Sequence, residues 1–152
     1  LRRIILLLLL CAAVFILSCE VDNGLGPSRI KITGTVVFTN PERRPSNVEE
    51  VRVAATAKTL TEIIKGEVGL SDVYFSTAVN FGQDTAAYEI AMPRGTYPLV
   101  GVLWKERNKD WDVKKIIGIY NLNCDNTIDP LTVQLTKEQP VASNVKICTF
   151  WP

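Results

Sequence analysis

Two hydrophobic patterns divide the chain. Residues 4–17 form an unbroken apolar run, preceded by Arg2 and Arg3 and closed by Ser18-Cys19, after which the chain turns polar at Glu20. As a helix this run rises about 21 Å, short of the roughly 30 Å hydrocarbon core that a permanent span must cross. A basic start followed by a short apolar stretch has the form of a secretory signal. Residues 20–28 carry Gly24, Gly26 and Pro27 with few large apolar side chains, the composition of a flexible tether. From residue 29 onward the pattern changes to period two. The expected organisation is a leader at 1–18, a tether at 19–28 and a domain at 29–152.

The alternation in the domain predicts strands. Ile30, Ile32, Gly34, Val36 and Phe38 share one face, and Thr39-Asn40-Pro41 ends that strand with turn chemistry. A second strand over 48–55 places Val51, Val53 and Ala55 on one face and Arg52 on the other. Residues 58–65 read either as a short helix, with Thr59 as N-cap and Glu62 completing a capping box, or as a strand. Val73, Phe75, Thr77 and Val79 alternate, and so do Tyr88, Ile90 and Met92. Pro93-Arg94-Gly95 reads as a tight turn with Gly95 supplying a positive φ. Residues 96–104 then read as one strand, with Pro98 and Gly101 marking an edge or a bulge near its start. After a charged loop at 105–115, strands are expected at 116–122, at 131–135 following the Asp129-Pro130 break, and at 144–150. No helical pattern is long enough to cover a sheet, so two sheets must cover each other. The fold class is all-β, a sandwich of seven to eight short strands.

Composition narrows the chemistry. The chain has 152 residues, 17 Lys and Arg against 16 Asp and Glu, and no histidine. Without the leader the formal charge moves from +1 to −1. This is no electrostatic footprint for nucleic acid. The missing histidine removes the commonest general base and the commonest metal ligand.

The tetrad Ile16-Leu17-Ser18-Cys19 resembles the lipobox of bacterial lipoproteins, with Leu17 standing where a smaller or β-branched residue is more usual. The resemblance implies cleavage before Cys19, a diacylglycerol thioether on its sulfur and an acylated amino terminus, hence a membrane partner engaged through lipid. In lipoproteins an Asp after the Cys signals inner-membrane retention, so Glu20 leans toward the outer membrane, on its periplasmic or surface face. Within the domain, Tyr88-x-Ile90-x-Met92-Pro93-x-Gly95-Thr96-Tyr97 looks like a hairpin of carboxypeptidase regulatory-like domains, which are prealbumin-like (transthyretin-like) sandwiches. Ile32-Thr33-Gly34-Thr35-Val36 resembles the opening strand of that family, where Gly allows close packing, and Val51-Arg52-Val53-Ala54-Ala55 its second strand. The resemblance implies an antiparallel Greek-key sandwich of about seven strands, and a non-catalytic companion or binding module rather than an enzyme.

Candidate chemistry is sparse. Cys124 and Cys148 are the only cysteines of the exported domain; they either pair or stand as separate thiols, and an even count in a secreted chain favours the bridge. Its closed loop contributes about 3 kcal/mol on the chain-entropy model. Glu106, Asn108, Asp110 and Asp112 offer oxygen ligands, but Lys105, Arg107 and Lys109 interleave them and no Gly makes the sharp turn of a calcium loop, so the segment reads as a solvated charged hairpin. No metal or cofactor is expected. Trp111, lying in this polar loop, is the candidate ligand-binding aromatic, with Tyr120 and Phe150-Trp151 as neighbours; it either stacks on a glycan or folds back over the edge of the sandwich. The functional expectation is an envelope lipoprotein whose sandwich binds or assembles with an envelope protein. The alternative is a carbohydrate-binding accessory module using Trp111.

Overall fold

The computed structural model describes residues 30–122, 124 and 130–152. The leader, Cys19, the tether and Asp129 lie outside the described residues. Nine strands follow in chain order: β1 (Lys31–Phe38), β2 (Val48–Thr56), β3 (Val73–Phe75), β4 (Thr85–Ala91), β5 (Gly95–Tyr97), β6 (Leu99–Glu106), β7 (Ile116–Ile119), β8 (Val133–Leu135) and β9 (Val141–Thr149). One α-helix, α1 (Leu60–Lys65), lies between β2 and β3. The strands form a sheet ordered β4-β1-β9, a second ordered β3-β2-β6-β7, and a small β5-β8 ribbon. The molecule is an all-β sandwich. Among the described residues the pairings are antiparallel except one: β1 runs parallel to β9, joining the two ends of the domain.

Alternation builds the core. Ile32, Val36 and Phe38 of β1, Tyr88 and Ile90 of β4 and Ile147 of β9 face Val51 and Val53 of β2 and Val100, Val102 and Trp104 of β6 in one apolar cluster. Fully burying a side chain of this size contributes about 1.5–3 kcal/mol, so the inward faces carry the stability of the sandwich. At the centre of the first sheet, β9 carries one extra residue opposite β1, and Asn144 takes the left-handed conformation there with φ 62°. The bulge pushes the Val145 carbonyl toward β1, where Gly34 leaves room for it and the Tyr88 hydroxyl donates to it at 2.9 Å. Burial and the neighbouring Tyr120 raise the pKa of that hydroxyl, keeping it a donor.

Three segments depart from the pattern read along the chain. The expected strand at 96–104 breaks at Pro98, which has no N–H for a ladder. Its first part, β5, pairs with β8, and its second part, β6, sits between β2 and β7 as an interior strand rather than an edge. Gly95 opens β5; among the described glycines only Gly66 has a positive φ. The turn before β5 is held instead by Tyr97, whose hydroxyl donates to the Pro93 carbonyl at 2.8 Å. The expected strand over 73–79 is regular only to Phe75. Ser76 is buried and places its hydroxyl in the ladder, accepting from the Val53 N–H at 3.0 Å, and pairing resumes where the Val79 N–H meets Val51 O. The split at Pro98 turns the eight strands read along the chain into nine among the described residues.

The segment at 58–65 resolves as a helix. Thr59 Oγ1 accepts from the Glu62 N–H, and the Glu62 carboxylate accepts from the Thr59 N–H at 2.7 Å. Gly66 ends the helix at φ 78°, with the Glu67 N–H reaching the Glu62 carbonyl. Ile63 points down with Val68, Leu99 and Ile119 into a second apolar cluster on the outer face of the β3-β2-β6-β7 sheet. A pocket of about 20 Å³, lined by residues such as Ile63, Leu99, Leu103 and Val113, marks where that face is covered.

Candidate functional site

The loop at 107–115 connects β6 to β7 and folds over the same outer face. Asn108 turns it with φ 61°, and the Lys109 N–H closes on the Glu106 carbonyl at 3.1 Å. Asparagine tolerates this conformation where a glycine is absent. Asp112 Oδ1 accepts from the Lys114 N–H at 2.8 Å and shapes the return to β7. Glu106 is the hub: Lys109 lies 2.8 Å away, Lys115 2.7 Å away, and Asn47 Nδ2 donates to it at 2.9 Å. Lys115 also sits over the Trp104 ring at 4.3 Å. Lysines occupy Glu106 and a backbone N–H occupies Asp112. Among the described residues no three potential ligands gather as a metal site.

Hydrogen bonds from Lys109 and then Lys115 hold the Glu106 carboxyl well below its ordinary value of 4.5, at about 2. A carboxylate depressed in the folded state stabilises the fold above its unfolded pKa and loses that contribution as pH falls through the folded one. Glu106→Gln is therefore expected to melt below the native protein at neutral pH, with the gap closing between about pH 4.5 and pH 2. Thermal melts of both proteins across that window check this; a gap that stays constant overturns it.

Trp111 is half-buried against the sheet. Its ring lies 5.4 Å from that of Phe75, and the Arg52 guanidinium stands 5.7 Å over it. Arg52 is itself held by Glu50 at 2.6 Å. No ring contact among the described residues joins Trp111 to Tyr120, Phe150 or Trp151. Trp151 is buried, stacked on Phe38 with centroids 6.2 Å apart and edge-on to Trp104 at 6.2 Å. Asn40 brackets its backbone, accepting from the Trp151 N–H at 2.9 Å and donating to its carbonyl at 3.1 Å. The amide acts as an extra ladder rung beyond the end of β9. Phe150 is 43% exposed.

Cys124 and Cys148 form a disulfide with Cα atoms 5.2 Å apart. It ties the segment after β7 to the end of β9, beside the point where the Phe150 N–H donates to Ile117 O at 2.7 Å. Several of the scattered carboxylates have partners. Glu49 pairs with Lys105, Glu89 with Lys31, and Asp72 caps the Gly69 N–H. Sequence reasoning did not anticipate the second apolar cluster. Its signal was the capping box itself, which fixes a helix whose Ile63 then needs a surface to cover. Comparison with protein families, curated proteins and solved structures finds no match.

Proposed function

We propose that this chain is a bacterial envelope lipoprotein, held at the membrane through Cys19, whose non-catalytic β-sandwich serves binding or assembly. The observation that carries this reading is the tetrad Ile16-Leu17-Ser18-Cys19 at the end of the apolar run, followed by a Gly- and Pro-containing tether. Each buried CH₂ of an acyl chain contributes about 0.8 kcal/mol, so two or more chains on Cys19 hold the domain stably. The chemistry of the domain supports a non-catalytic role. The chain has no histidine, and among the described residues Glu49 and Glu89 are engaged in ion pairs and Asp72 in a cap. The glycan-platform reading of Trp111 ranks behind this one, because its ring is spent on Phe75 and Arg52.

The test is the intact mass of the chain extracted from its own membranes. The expected mass is that of residues 19–152 plus acyl chains, and Cys19→Ala is expected to abolish acylation and move the chain out of the detergent phase. An unlipidated native chain overturns the anchor and, with it, the outer-membrane placement drawn from Glu20.

A further inference from the structure

We propose that the outer edge of β4 is a self-pairing surface through which two copies of this chain join their first sheets into one. β4 runs seven residues in unbroken antiparallel register with β1, and among the described residues no strand pairs with its other side. The ladder fixes which backbone groups are free. Phe38 N–H bonds Asp84 O and Met92 N–H bonds Ile30 O, so the even positions of β4 face β1. In an antiparallel pair the intervening residues turn their N–H and C=O outward. Thr85, Ala87, Glu89 and Ala91 therefore present a row of donors and acceptors, and all four are exposed.

Other strand edges are guarded in ways that β4 is not. β3 is three residues long and gives way to the Ser76 hydroxyl. β7 is four residues long and receives the Phe150 N–H at Ile117 O. β9 is bulged at Asn144 and bridged at Cys148. β4 has no proline, no bulge and one charge, Glu89, which Lys31 of the same chain holds at 2.8 Å.

The register selects a second copy as the occupant. A two-fold axis that sets Thr85 opposite Ala91 and Ala87 opposite Glu89 engages all four outward residues of both chains, as an isologous interface requires. Sliding two residues one way leaves Ala91 unpaired, and the other way sets Glu89 directly opposite Glu89, which is unfavourable. In the full register Asp84 of one copy falls opposite Met92 of the other, two positions from Arg94. Opposite charges thus flank both ends of the paired segment.

The test is sedimentation equilibrium of the full chain in detergent micelles over a micromolar concentration series. The native chain is expected to form a dimer. Ala87→Pro removes an N–H that β1 does not use and is expected to leave a monomer. Ala87→Glu places like charges opposite each other twice and is expected to weaken the dimer about tenfold, whereas Ala87→Lys, facing Glu89, retains or tightens it. Circular dichroism checks each variant, and Ala87→Glu decides the matter where the proline variant does not fold. A native chain that stays monomeric throughout, or a dimer indifferent to the charge at position 87, overturns the proposal.

Discussion

Gly34→Ala is expected to destabilise the sandwich by about 3 kcal/mol, a large effect for one added methyl group. The new Cβ would overlap the Val145 carbonyl oxygen, far inside van der Waals contact distance, and lie 3.0 Å from Tyr88 Cε1. Neither obstacle yields cheaply. The carbonyl belongs to the bulge fixed by Asn144, and the Tyr88 ring is buried with its hydroxyl committed to that same carbonyl. Relief requires β9 to move away from β1, which strains the parallel pairing along its length. Urea denaturation followed by tryptophan fluorescence measures the loss. A variant within about 0.5 kcal/mol of the native protein, the range of ordinary surface substitutions, overturns the close-approach argument.

Trp151→Ala is expected to cost about 3–5 kcal/mol, the range for removing a large buried aromatic. The indole is 3% exposed and fills the end of the core between Phe38 and Trp104. Asn40 binds only the backbone of Trp151, so the chain path is held after truncation and the space left by the ring closes poorly. Trp151→Phe keeps part of the stacking on Phe38 and is expected to lose less. Chemical denaturation of the two variants gives the comparison. Equal losses for both would mean that the ring contacts contribute little beyond chain position.

The sandwich was legible because most strands alternate cleanly and bury one face. β4 is the clearest case, with every second side chain inward. The segment at 58–65 stayed open between helix and strand even with its capping box in view; the structure forms the box and the helix. What escaped the pattern arose from single atoms and distant partners. Pro98 splits one apolar run between two sheets because it lacks one hydrogen, and Ser76 ends β3 because its hydroxyl competes with a backbone group. The parallel partnership of β1 with β9 depends on residues 110 apart in the chain, and no local alternation encodes it. The folding back of Trp111 onto the sandwich was one of the two placements read for it, but its partners Phe75 and Arg52, on strands far away in sequence, were not legible.

That partnership also sets a timetable for folding. β1 is the middle strand of its sheet and the first to appear, yet its second neighbour is the last strand of the domain. However the chain is delivered, from a ribosome or through a pore, β1 waits half-paired until β9 arrives. Contacts between such distant positions are slow to form, because the entropy of closing the intervening loop comes before any reward. A chain stalled or clipped before residue 141 can build the β2-β6 pairing but not the seam beside Gly34. Arrival of β9 therefore closes the first sheet: a product that lacks it leaves one side of β1 without its ladder partner.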